Sequence, residues 1–197
     1  IRPGDLNLMV AGRGITHSER EREEVRQVNH RLHGLQLWHA LPETHEEMDP
    51  AFYHYSSSEL PRFTKAGVDI RLMMGAAYDR TSPVKTFSPT LYLEAFMEGA
   101  QALSLPAVEE LAVYVVKGRI RHGSDEIPEF HMARLTAGES QSIESLEPSH
   151  IVLIGGAVTG QRHIFWNFVS SRSERIELAK NMWRNREFPT IPGDSDE

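Results

Sequence analysis

The spacing of apolar and polar positions divides the chain into a long stretch of β character and a short helical end. Leu6 to Ala11 and Ile15 to Glu19 read as extended segments on either side of Gly12-Arg13-Gly14, the second because Ile15 and Thr16 are β-branched. Leu35 to Leu41 is a third, with Leu35 and Leu37 on one face, Gln36 and Trp38 on the other, and Pro42 as its end. Val68 to Met74, VDIRLMM, is a further strand closed by Gly75. From Thr90 onward short strands alternate with Gly and Pro turn signals: Leu91 to Phe96, Leu111 to Lys117, Arg119 to Arg121, Phe130 to Leu135, Gln141 to Ser145 and His150 to Ile154. A 3.6-residue period emerges only near the end. There Ile176, Ala179 and Trp183 form an apolar stripe behind Ser171-x-x-Glu174, a capping-box spacing, and Pro189 sets the limit of the helix.

The segments between are of other kinds. Ser18 to Arg31 mixes charges of both signs and predicts a solvated loop or a short surface helix. Glu43 to Lys65 carries turn chemistry at Asp49-Pro50 and Leu60-Pro61 and predicts an irregular connection. The acidic tail, Pro192 to Glu197, is expected to fray. Trp38, Met73, Met74 and Trp183 are expected in the core. Trp183 in particular is expected to bury most of its ring, at about 3–5 kcal/mol for its deletion.

Composition narrows the function classes. A net charge of -7 argues against a phosphate-binding surface and so against direct contact with nucleic acid. The chain has no cysteine, which removes disulfides and thiolate chemistry and agrees with a cytoplasmic location. No apolar run is long enough to span a bilayer, so no membrane partner is expected.

The candidate chemistry lies early. Gly12, Gly14 and His17 stand at the spacing G-x-G-x-x-H, and Glu19 follows two residues on. Two glycines one residue apart permit a tight turn with positive φ or close backbone packing. On a strand, residues i and i+2 share a face, so His17 and Glu19 would project side by side. An imidazole and a carboxylate so placed are half of a four-ligand site for a divalent transition metal. His33 fits either a residue that orients a ligand through its ring N–H or a plain polar strand end. His30, His39, His45 and His54 follow no zinc spacing and read as scattered surface histidines.

The run AGRGITHSE, then LHGLQLW and LP, with Ser82-Pro83, Ser88-Pro89-Thr90 and Trp166-Asn167-Phe168-Val169, resembles the pirins, two-domain members of the cupin superfamily. The resemblance implies an all-β chain of two cupin-type β-barrels or sandwiches, a bicupin, followed by a C-terminal helix. It implies a metal, Fe(II) or another divalent transition ion, held by three histidines and one glutamate. His17 and Glu19 stand where the last histidine and the glutamate belong, with Glu19 as ligand or general base. The remaining pair, an H-x-H, has no counterpart in the sequence. The expectation is therefore of a pirin that lacks the front of its first barrel and carries half of the metal site. Divided accordingly, residues 1–85 are the remainder of the first cupin domain, 86–165 the second, and 166–197 the helix and tail. Gly99, Leu105, Ala107, Leu111 and Gly118 keep the spacing of the first cupin motif with its ligands replaced, which predicts a second barrel without a metal site. The activity the resemblance implies is that of a quercetin 2,3-dioxygenase acting on a flavonol-like small molecule. The alternative is a non-catalytic redox- or metal-sensing regulator that binds a transcription factor or metabolic enzyme.

Overall fold

The structure is a computed structural model that describes residues 1–21, 23–135, 141–191 and 193. In chain order its strands are β1 (Leu6–Val10), β2 (Ala51–Tyr55), β3 (Arg62–Lys65), β4 (Val68–Met74), β5 (Ala76–Ala77), β6 (Arg80–Thr81), β7 (Thr90–Met97) and β8 (Ala102–Ser104). They continue as β9 (Glu110–Lys117), β10 (Arg119–His122), β11 (Asp125–Pro128), β12 (Met132–Leu135), β13 (Ser142–Ser145), β14 (Ser149–Gly156), β15 (His163–Phe165) and β16 (Phe168–Ser170). The helices are α1 (Glu23–Arg26) and α2 (Ser173–Arg184). The chain is all-β with a C-terminal helix, as the pattern of apolar positions predicts.

The chain forms two compact units. The first takes in residues 1–8 and 52–158, the second residues 9–51 and 159–197. The first is a pair of antiparallel sheets, one of six strands in the order β12-β9-β14-β7-β4-β3 and one of four in the order β11-β10-β13-β8. Alternation builds it. Along β7, Leu91, Leu93, Ala95 and Met97 face the core while Tyr92, Glu94 and Phe96 take the other face. β14 lies between β7 and β9, and its Leu153 is in register with Leu93 on one side and Val113 on the other. Ile120, Ile127 and Ile143 complete the core from the four-stranded sheet. Each such side chain removed from water contributes about 1.5–3 kcal/mol.

Register also orders the opposite face of the large sheet. Arg71 is opposite Glu94, and His150 opposite Phe96. Arg71 Nη1 donates to Glu94 Oε2 at 3.0 Å, and the His150 ring stacks on Phe96 at 4.3 Å. The strands of this sheet come from both sides of residue 85, since β4 pairs with β7. Two strands also occupy the stretch expected to be an irregular connection, Glu43 to Lys65. Phe52, Tyr53, His54 and Tyr55 alternate well enough to pair as β2, and β3 adds an edge to the six-stranded sheet. Met73 and Met74 are buried as expected, in a small cluster with Leu6, Leu60 and Val84.

The second unit has little sheet. It holds α1, a 3-10 turn at Glu43–His45, the hairpin β15–β16 and α2. Its organising contact is polar. Glu46 accepts hydrogen bonds from Ser171 N at 2.9 Å, Ser170 Oγ at 3.0 Å and Ser171 Oγ at 2.9 Å. Arg162 Nε lies 2.8 Å from the same carboxylate, and its Nη2 and Nη1 donate to Leu41 O and Thr159 O, each at 2.8 Å. The two side chains are only 6% and 11% exposed. This pair replaces the expected capping box. α2 begins at Ser173 after an extended Arg172 with no side-chain cap, because the Ser171 hydroxyl is engaged by Glu46. The helix ends at Arg184, before Pro189 as expected, and Ile176 is its buried residue. The expectation for Trp183 is corrected: the residue remains 46% exposed. Of the expected frayed tail, Pro192 and residues 194–197 lie outside the described residues.

Candidate metal centre

The glycine motif closes as a turn. Gly14 N donates to Ala11 O at 3.0 Å and Arg13 N to Met48 O at 2.9 Å. Gly12 has φ +51°, and a Cβ there would stand 2.1 Å from Met48 O, so both reasons for glycine apply at once. At Gly14, with φ +131°, an added Cβ would stand 3.6 Å from the Phe188 ring, an ordinary contact distance. The Arg13 guanidinium pairs with the Asp49 carboxylate, fixing the turn from its outer side.

Beyond the turn the structure departs from expectation. Residues 15–19 do not form a strand, and neither do 35–41. β propensity alone does not hold an extended segment; its N–H and C=O groups need a neighbouring strand, and among the described residues none pairs with these two stretches. The i, i+2 rule that placed His17 and Glu19 side by side therefore has no strand to act on. His17, Glu19 and His33 are all exposed. Glu19 Oε1 accepts a hydrogen bond from Gln36 Nε2 at 3.3 Å, which ties the motif to the HGLQLW segment. Thr16 Oγ1 is buried and lacks a partner among the described residues. Trp38, expected in the core, is 61% exposed.

Among the described residues no three His, Asp or Glu side chains gather as a group able to hold a metal ion. Two donors on an exposed, unpaired segment do not fit a complete four-ligand centre, and no chemical step is assigned to a metal here. In the first unit Leu111 lies in the core, Leu105 packs against it, and Ala107 is exposed.

Two family models match the chain, "Pirin" over residues 1–39 and "Pirin C-terminal cupin domain" over residues 92–189. A pirin-like protein of Caulobacter vibrioides is 41% identical over 186 residues, 93% of this chain and 64% of that protein. The chain belongs to the pirin family. The pirin of Homo sapiens is 34% identical over 194 residues, 94% of this chain and 65% of its own length. Among solved structures, a quercetin 2,3-dioxygenase of Acinetobacter baumannii superposes with a TM-score of 0.88 at 28% identity, over 100% of this chain and 66% of that one. This pirin chain thus spans just under two-thirds of the length of these three proteins. Among its described residues no helix is long and apolar enough to cross a membrane.

Two features of this pirin were missed in the sequence. The Glu46–Arg162 pair joins residues far apart in the chain, and no local spacing announces it. The aromatic residues Trp166, Phe168, Trp183 and Phe188 form a partly exposed cluster rather than core, with Phe165 lining the same cleft. Their density near the C-terminus was the available signal.

Proposed function

We propose that the chain is part of a pirin-type, iron-dependent dioxygenase of the quercetin 2,3-dioxygenase kind, which takes a flavonol-like small molecule. The observation that carries this reading is the likeness to the Acinetobacter quercetin 2,3-dioxygenase along the whole of this chain. In this reading His17 and Glu19 supply two of the metal ligands, Glu19 serving as ligand or as the base that takes the phenolic proton. His33 orients a ligand through its ring N–H. The family pattern takes its remaining donors from an H-x-H pair, which this sequence does not contain.

The test is calorimetric titration of a divalent metal, with oxygen uptake on quercetin and ferrous iron. It is run on the chain alone and on the chain joined to an upstream segment bearing an H-x-H pair. The chain alone is expected to bind weakly, with water in the open positions, and not to turn over. The joined protein is expected to bind more tightly and consume oxygen, and His17→Ala is expected to abolish both. Equal binding by both forms, or a His17→Ala protein that binds like its parent, overturns the assignment. The second reading is a metal- or redox-sensing regulator of a partner protein; the exposed placement of His17 and Glu19 favours it. Metal binding by the joined protein without oxygen uptake selects this reading.

A further inference from the structure

The hairpin β15–β16 and the last turns of α2 enclose an open cleft of about 310 Å³, lined by Phe165, Trp166, Phe168, Lys180, Trp183 and Arg184. That volume is at the small end of ligand sites, the size for a two-ring molecule. Its walls are preorganised by ring contacts. Trp166 meets Trp183 at 4.8 Å and Phe168 edge-on at 5.7 Å, and Phe188 braces the back, parallel to Phe168 at 5.9 Å and 6.1 Å from Trp183. Yet Phe165, Trp166 and Trp183 stay about half exposed. Rings held in place by their neighbours while their faces remain open to water are a stacking surface for another planar apolar group.

The charge at the rim selects the ligand class. Lys180 Nζ stands 4.5 Å above the Phe165 ring and donates to Glu177 Oε1 at 2.7 Å, so its charge is compensated. Arg184 is one turn further on. Its guanidinium is exposed, donates only to the neutral Asn181 Oδ1 at 3.3 Å, and has no carboxylate at ion-pair distance among the described residues. The cleft therefore offers an aromatic floor and one uncompensated planar cation, whose fork geometry suits a carboxylate. The Trp166 and Trp183 rings are tilted 59° to each other, so a planar ligand can lie flat on only one of them. We infer that this cleft is a binding site for a small planar aromatic monoanion, stacked on Trp183 and meeting Trp166 edge-on, with its carboxylate on Arg184. The inference is independent of the dioxygenase reading, since it uses none of the proposed metal ligands.

The probe is 2-naphthoate, with 2-naphthalenemethanol as its uncharged counterpart, followed through the indole N–H signals of the three tryptophans in two-dimensional NMR. The Trp166 and Trp183 signals should shift saturably and together, while Trp38 serves as an internal control and should not move. An exposed ion contact is worth up to about 1 kcal/mol, so the carboxylate should bind up to about fivefold more tightly than the alcohol. Arg184→Gln, an exposed change that leaves the aromatic walls in place, should remove that preference. Trp183→Phe keeps a ring there and should retain binding of the anion. The proposal is overturned if naphthoate shifts neither indole, if Trp38 responds equally, if acid and alcohol bind alike, or if Arg184→Gln leaves the preference intact.

Discussion

The two units of the chain are held together by different means. In residues 1–8 and 52–158 an unbroken apolar core lies between two antiparallel sheets, and the strands of the large sheet place Val68, Ile70, Leu93, Val113, Ile151 and Leu153 out of contact with water. Among the described residues of 9–51 and 159–197 few apolar side chains are fully buried, and a well-enclosed contact is the Glu46–Arg162 pair with the two serines it binds. A core of many interchangeable apolar contacts tolerates partial loss. A single enclosed charge pair does not, because removing one partner leaves the other charge buried without compensation.

The largest effect should come from that pair. Glu46→Ala should cost about 3–5 kcal/mol, since Arg162 is then enclosed alone. Hydrogen exchange should show β15, β16 and α2 losing protection while β7 and β14 keep theirs. Loss of protection in both units together breaks the comparison. The double change Glu46→Leu with Arg162→Met sharpens it: removing both charges should recover part of the loss, while Ser170 and Ser171 still lose their acceptor. In the first unit Leu93→Ala should cost about 2–4 kcal/mol by denaturant unfolding, the usual range for a fully buried leucine. A value below 1 kcal/mol would show a core looser than the burial implies. Trp183→Ala should cost only about 1 kcal/mol, because half of the residue is already in water and its partners are themselves surface rings.

The smallest effect is on acid stability. Hydrogen bonds from the Ser56 backbone N–H and hydroxyl hold the Glu59 carboxyl below its ordinary 4.5, and the Ser57 and Arg2 N–H groups hold Asp5 below 3.8. A lowered folded-state value means that the stabilising contribution is fully present above those ordinary values and is lost as the pH falls through the lower ones. Unfolding of the first unit followed from pH 6 down to pH 2, a span set by these carboxylates, should therefore show an acid limb that flattens in Glu59→Gln. An unchanged limb in that variant removes Glu59 as its source.

The reading from sequence succeeded where local pattern and tertiary partner agree. β7 and β9 were legible because an alternating strand in the middle of a sheet must put its apolar residues on one side, and both have neighbours on each edge. The Gly12–Gly14 turn was legible because positive φ at both glycines is a local requirement, whereas the close approach of Met48 O to Gly12 is tertiary. It failed for Ile15 to Glu19 and Leu35 to Leu41, whose β-branched and alternating residues resemble those of true strands. What differs is the lack of a paired neighbour among the described residues, which no residue in either segment specifies. The candidate site lies on these segments, so its residue types were readable and its geometry was not.

By itself the sequence determined the β class of the chain, the place of the helix, the two glycines of the turn and the identity of the two donors that follow them. Each of these is a property of residues within a few positions of one another, expressed through φ, periodicity or side-chain chemistry. Tertiary structure alone decided that Glu46 and Arg162, 116 positions apart in the numbering, share one enclosed site. It also decided that Trp183 faces an open cleft, and that His17 and Glu19 are exposed to solvent with no strand to align them. Burial and pairing belong to the partners a residue meets, and a chain specifies those partners only through the whole of its fold.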